Sequence, residues 1–313
     1  MARSIGGRKT EMGMKKILIT GASRGLGLAM ARALDGAPDL ELVLAVRDLA
    51  AGRRAAASLR GPVRVIELDT GSRESIRRLI DAWREPLHAL VNNAGLQFSG
   101  STVFNDAGVE MTLAVNHLGP LELSAGLLPW LSGGRIMGIG SGTHNPHNRT
   151  ARLFGFRGGN FTTIEELARA KAQRNSNRGR GMDLYATSKL LAMASSVELA
   201  RRFPQAGFFV LDPGLMPGTG LIRTAPLPAR LAWHSLLRWL VPVLPDASTP
   251  QRSAQAARRL LLERPIAPGE IYDFNADPSG RVWSLVRDPA FGRVVVDESF
   301  TFLGLRPSST AAP

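Results

Sequence analysis

The stretch Thr20-Gly21-Ala22-Ser23-Arg24-Gly25-Leu26-Gly27 decides the fold. The apolar run Lys16–Thr20 leads into it, and a helical pattern over residues 25–35 follows. A strand, a glycine turn and a helix in that order make a dinucleotide-binding turn. Gly21 allows the tight turn, Gly25 lets the backbone approach a pyrophosphate, and Gly27 lets helix and strand pack closely, with Ser23 and Leu26 completing the loop. The helix then presents free N–H groups and the positive end of its dipole to the anion. The spacing is G-x-x-x-G-x-G, and glycine patterns also occur in plain turns. Its place between the first strand and the first helix gives it weight.

Working outward, short apolar runs alternate with amphipathic segments. Lys16–Thr20, Glu41–Val46, Val63–Leu68, Leu87–Asn92, Arg135–Gly140 and Gly207–Leu211 have strand length, and Glu270–Asp273 adds a short one. Helical patterns occupy 25–35, 49–59, 72–84, 106–131, 183–203 and 249–263. That alternation predicts an α/β fold, a doubly wound parallel sheet of Rossmann type. Residues 142–182 interrupt it with a basic insertion rich in Gly, Arg and Asn, holding one helical patch over Thr163–Ala172. No repeat or linker divides the chain, so a flexible leader (1–13) and one domain (14–313) are expected.

The composition excludes several classes. The 313 residues are 44% hydrophobic and 21% charged, ordinary values for a globular chain. With no cysteine there is no disulfide, no thiolate metal site and no cysteine proton donor. The net charge is +13, and most of the excess sits in residues 1–16 and 149–182. The latter stretch lacks the interleaved aromatics that stack on nucleic acid, so no nucleic-acid partner is expected, and a solvated loop is its simplest reading. No apolar run reaches the length of a membrane span, and a cytoplasmic protein is expected.

Cofactor choice is read from the end of the second strand. An acid there would bind the ribose hydroxyls of NAD and repel a 2′-phosphate. The chain has Val46-Arg47 instead, with Arg24 in the glycine turn, and two guanidiniums near one phosphate point to NADP. Pairing of Arg47 with Asp48 on the surface is the plain alternative.

Tyr185-Ala186-Thr187-Ser188-Lys189 carries the chemistry. Residues i and i+4 share a helix face, so phenol and ammonium project together. A free phenol titrates near 10, and a general acid/base works best nearer neutrality. The expectation is that Lys189 and a cationic nicotinamide lower Tyr185. Ser141, after a strand ending in Gly140, can donate to or orient the substrate oxygen.

These residues resemble the short-chain dehydrogenase/reductase family over about residues 14–275. Besides the glycine turn and Tyr185/Lys189, the match includes Asn92-Asn93-Ala94-Gly95, Asn116 in Val115-Asn116-His117-Leu118-Gly119-Pro120, and Pro213-Gly214. The resemblance implies a catalytic tetrad of Asn116, Ser141, Tyr185 and Lys189. In it Tyr185 exchanges the proton, Ser141 polarises the oxygen, Lys189 holds the nicotinamide ribose and Asn116 holds a water. It further implies cofactor contacts from Asp69, Asn93, Ala94, Gly95, Pro213 and Gly214, with Thr219 one residue later than usual. Family members usually pair the helices of Asn116 and Tyr185 with a second subunit. The 43 residues between Ser141 and Tyr185, against about a dozen in the family, resemble the light-dependent protochlorophyllide reductases. So does Asp212-Pro213-Gly214-Leu215-Met216-Pro217-Gly218-Thr219-Gly220-Leu221. Those enzymes use a cysteine that this chain lacks. The first half resembles retinol-dehydrogenase-type members equally well.

The resulting expectation is an NADP-dependent oxidoreductase acting on a carbonyl, alcohol or activated C=C bond. A pigment reductase and a non-catalytic NADP sensor are the alternatives. The segment Leu227–Leu244, with Trp233, Trp239 and interspersed arginines, reads as part of a substrate lid over about 215–245 or as a peripheral membrane contact, and either implies a bulky hydrophobic substrate. His144 and His147 lack an evident third ligand, so no metal is expected. The insertion, folded across the outer helix face, would favour a monomer.

Overall fold

The computed structural model describes residues 13–98, 100, 102–169, 180–216 and 246–305. Seven strands, β1 (Lys15–Thr20), β2 (Leu40–Val46), β3 (Val63–Glu67), β4 (Ala89–Asn92), β5 (Arg135–Ile139), β6 (Gly207–Leu211) and β7 (Ile271–Tyr272), form one sheet in the order β3-β2-β1-β4-β5-β6-β7. Every pairing is parallel, as continuous apolar runs joined by helices require. The strand order reverses between β1 and β4, the switch point where α/β sheets bind ligands at the carboxyl ends of their strands.

Side-chain alternation divides the core between the two sheet faces. Ile17, Ile19, Leu42, Leu44, Val91 and Met137 pack under α1 (Gly25–Leu34) and α2 (Leu49–Ala56). Leu18, Val43, Leu90, Ile136 and Phe208 face the other way, toward α3 (Arg73–Ala82) and the long helix pattern near Asn116. That pattern is broken in the structure. A turn of α4 (Met111–Leu113) runs into a π-helical turn, Ala114–Leu118, and then α5 (Gly119–Leu127). Pro120 has no N–H for the Asn116 carbonyl, which accounts for the wider turn at that place.

The insertion is not a solvated loop over its described part. It forms α6 (Arg149–Leu153) and α7 (Ile164–Ala168), with Ile164 and Ala168 in the main core. Gly159 lies so close to α8 (Arg180–Arg202) that an added Cβ would meet the Leu190 Cβ at 2.7 Å. Thr187 of α8 exchanges hydrogen bonds with the Asn160 backbone, at 3.0 and 3.2 Å. Two of the arginines are paired, Arg157 with Asp183 and Arg169 with Glu165. Among the described residues, the remaining α-helices are α9 (Pro250–Arg258), against α1, and α10 (Pro289–Leu303), against α8. Residues 1–12 of the expected leader lie outside the described residues, as do Thr219 and almost all of the expected lid. Among the described residues no helix is long and apolar enough to cross a membrane.

Candidate active site

The glycine turn is held from beneath. Thr20 Oγ1 accepts from the Asn93 and Ala94 N–H groups at 3.0 and 2.9 Å, locking the ends of β1 and β4 together. Asn93 Nδ2 donates to the Thr20 carbonyl at 2.8 Å. Gly21 and Gly25 adopt the left-handed region, φ +66° and +57°. A Cβ on Gly27 would stand 2.5 Å from Asn93 Nδ2 and 2.6 Å from the Gly21 carbonyl, whereas one on Gly25 would meet nothing within 4 Å. Close packing at one glycine and open space at the other are what the sequence pattern predicts. Helix α1 has no side-chain cap, so its first N–H groups face outward for an anion.

Asn116, Ser141, Tyr185 and Lys189 are brought together. Asn116, only 3% exposed, accepts from the Leu96 N–H through Oδ1 and donates through Nδ2 to the Leu96 carbonyl and to Ser188 Oγ, each at 2.9–3.0 Å. Ser188 in turn donates to the Tyr185 carbonyl at 2.8 Å, tying the π-helical turn to α8. Lys189 Nζ donates to the Ile139 carbonyl at 2.9 Å and lies 5.8 Å from the centre of the Tyr185 ring. Ser141 leaves β5 near enough to the Tyr185 phenol to influence its titration. Its Oγ also lies 3.0 Å from Thr143 Oγ1.

The electrostatics differ from the sequence expectation. Burial dominates and pushes the phenol of Tyr185 up to about 12; the neighbouring Ser141 lowers it and Asp212 raises it. Burial brings Lys189 down to about 8, against an opposing pull from Asp212. The phenol is therefore protonated at neutral pH, and burial by itself makes it a weaker acid than a free phenol.

The remaining cofactor-side predictions fall around this centre. Arg47 is exposed at the end of β2, and Asp48 is turned away to cap α2 through the Ala51 N–H at 2.9 Å, so the plain Arg47–Asp48 pairing is not formed. Arg24 is exposed beside the turn. Asp69 closes its own turn, accepting from the Gly71 N–H at 2.8 Å. A Cβ on Gly95 would lie 3.4 Å from Asn116 Oδ1 and 3.9 Å from Lys189 Nζ. Gly214, φ +71°, lies close to Phe274, and the Pro213 carbonyl accepts from Ser253 Oγ at 2.9 Å. His147 is exposed, and His144 is buried with both ring nitrogens engaged.

Two residues escaped the sequence reading. Thr20 carries no motif of its own. Asp212, last before Pro213-Gly214, accepts from the Gly214 N–H at 3.1 Å and faces the Ser141 turn, where a Cβ on Gly142 would lie 3.8 Å from its Oδ2. Burial raises its carboxyl, with the Gly214 N–H, His144 and Arg281 pulling the other way. An acid at a strand exit beside Pro-Gly was the available signal.

Residues 15–151 match the sequence profile described as short chain dehydrogenase. That span stops before Tyr185. A protochlorophyllide reductase of Avena sativa is 33% identical over 231 residues, 66% of this chain and 73% of the relative. Protochlorophyllide reductase A of Arabidopsis thaliana is 32% identical, over 69% of this chain and 58% of the relative. Among solved structures, an L-sorbose reductase from Gluconobacter frateurii, crystallised with NADPH and L-sorbose, superposes with a TM-score of 0.62 at 19% identity, covering 86% of this chain and 97% of that one.

Proposed function

From the premise that the chain belongs to the short chain dehydrogenase/reductase family, an NAD(P)-dependent oxidoreductase family, we propose that it is an NADP-dependent reductase of a bulky, largely apolar carbonyl or activated C=C substrate. The observation that carries the reading is the convergence of Tyr185, Ser141, Lys189 and Asn116 at the ends of β4 and β5, beside the glycine turn.

The residues fit the cofactor. The open space over Gly25 and the uncapped start of α1 suit a pyrophosphate. Arg47 and Arg24 suit a 2′-phosphate, and Gly95 leaves room beside Lys189. Bound NADPH supplies the hydride. Tyr185 gives its proton to the substrate atom that gains negative charge, and Ser141 stabilises that atom by a hydrogen bond. Lys189, held by the Ile139 carbonyl, would hold the cofactor ribose and would stabilise the phenolate left behind. Asn116 keeps α8 in register with the β4 exit. Phe156, 6.1 Å from the Tyr185 ring, supplies an apolar wall on the substrate side.

Reduction of a tetrapyrrole C=C bond is a second reading, favoured by the names of the relatives. With no cysteine in the chain, any proton donor must be another group, and Tyr185 is placed for it. The test is NADPH consumption with a panel of quinones, ketones and pigments, in darkness and in light. Tyr185→Phe should lower turnover by at least about a hundredfold with NADPH binding retained. Unchanged turnover would refute the role of Tyr185, and turnover only with a pigment in light would favour the second reading.

A further inference from the structure

The turn after Ser141 contains a buried imidazole that the proton transfer does not use. His144 is 1% exposed. Its Nδ1 lies 2.6 Å from the Ser141 carbonyl, and its Nε2 lies 3.1 Å from the backbone N–H of Trp283. A carbonyl can only accept and a backbone N–H can only donate. The ring therefore satisfies both when it is neutral with its proton on Nδ1, and in no other state. Two backbone groups 142 residues apart are joined through one side chain.

Trp283 belongs to the chain that follows β7, and its neighbours reinforce the join. Asn145 Nδ2 donates to the Arg281 carbonyl at 3.0 Å. The Arg281 guanidinium pairs with Asp246 and lies 5.4 Å from the centre of the Phe274 ring. Phe274 closes over Gly214, and the Asp246 carbonyl accepts from the Leu215 N–H at 2.7 Å. One C-terminal segment thus braces both turns that leave β5 and β6 at the site. A Gly159 N–H bond to the His144 carbonyl, at 2.9 Å, fixes the same turn from the insertion side.

We propose that His144 is a positioning residue for Ser141, fixing the serine backbone against the C-terminal segment so that the serine keeps its place beside Tyr185. This rests on the reading of Ser141 given under the proposed function. The segment around Trp283 then becomes part of the catalytic architecture rather than a passive tail.

The side chain can be dissected. In His144→Asn the amide nitrogen takes the place of Nδ1 and keeps the bond to the Ser141 carbonyl. In His144→Gln the amide oxygen reaches toward the Trp283 N–H, and His144→Phe keeps the ring and loses both bonds. The full chain is assayed with NADPH and 9,10-phenanthrenequinone as the probe carbonyl, alongside NADPH affinity by fluorescence and hydrogen exchange without substrate. For His144→Phe, kcat should fall tenfold or more while the Kd for NADPH stays within twofold. The Asn and Gln variants should each recover part of the loss. Exchange in His144→Phe should rise in both the 140–146 and 280–287 segments.

Wild-type kcat in His144→Phe, or loss of NADPH binding in proportion to kcat across all three variants, would overturn the proposal. So would faster exchange at 280–287 with 140–146 unchanged. Should the wild-type protein leave NADPH unconsumed with the quinone, that result counts against the reductase reading in this assay, and the exchange arm still decides the coupling. Should His144→Phe fail to fold, the Asn and Gln variants carry the same comparison.

Discussion

His117 should make the protein lose stability between pH 7.5 and pH 5.0, by an amount the structure fixes. Its ring is 1% exposed within the π-helical turn, with Nε2 2.8 Å from Ser299 Oγ on α10. That hydroxyl gives its own proton to the Val295 carbonyl at 2.6 Å, so the oxygen must accept from Nε2–H. Nδ1 is then the bare nitrogen, and it is buried without a hydrogen-bond partner. Protonating it would create a buried cation with no acceptor, and burial accordingly pushes the group down from 6.5 to about 3. The folded value lies below the unfolded one, so the unfolded chain binds the extra proton first. The stabilisation is complete above about pH 6.5 and is lost as the pH falls toward 3. At about 1.4 kcal/mol per pH unit, the loss by pH 5.0 is about 2 kcal/mol. Reversible urea unfolding followed by tryptophan fluorescence would measure it, with His117→Phe as the reference that cannot titrate. The variant forfeits one hydrogen bond, about 1 kcal/mol, at both pH values. Its loss between pH 7.5 and 5.0 should be about 2 kcal/mol smaller than that of the wild type. Subtraction removes the shared contributions of His88, His144, Glu110 and Asp212. Equal pH dependence in the two proteins would refute the assignment of the tautomer and its buried site.

Arg47→Asp should weaken NADPH binding at least about tenfold relative to NADH, a change of about 1.4 kcal/mol, measured by NADPH and NADH fluorescence titration. An unchanged cofactor ratio would place the 2′-phosphate elsewhere. Gly27→Ala should abolish NADPH binding in the same titration, because the new methyl would stand 2.5 Å from the Asn93 amide that supports the glycine turn. Sedimentation equilibrium at moderate salt should return the 33.6 kDa chain mass, and twice that value would refute a monomer.

The sheet was legible because a parallel strand covered on both faces must be continuously apolar, so Leu40–Val46 and Gly207–Leu211 announce themselves without periodicity. The glycine turn was legible because Gly21, Gly25 and Gly27 each answer a separate steric demand that no other residue meets. Tyr185 and Lys189 share a face simply by being four residues apart. The break at Ala114–Leu118 was hidden, since a π-helical turn shifts the pattern by a single residue and only Pro120 hints at it. Asp212 and His144 were hidden for a different reason. Their partners, the Ser141 turn and Trp283, come from distant parts of the sequence, and periodicity carries no information about such pairings.

The packing of α10 changes the argument for a monomer. Sequence reasoning rested it on the insertion folded across the outer helix face. In the structure the C-terminal helix itself lies along α8, with Gly292 against Glu198 and Arg202 paired to Asp297 at 2.7 Å. It meets the insertion through Glu298, which accepts from the Ile164 N–H at 2.8 Å, and through an edge-on contact of Phe291 with Phe161. Its end is tied to α3 and α5, because Arg73 donates to the Leu303 carbonyl and pairs with the buried carboxylate of Glu122 at 3.1 Å. Glu122 also pairs with Arg77, so the carboxylate enters the interior already compensated. A second subunit seeking the faces of α5 and α8 would have to displace this helix, leaving His117 without Ser299 and Arg202 without Asp297. Coverage by the C-terminal helix, added to that by the insertion, is the physical ground on which we propose a monomer.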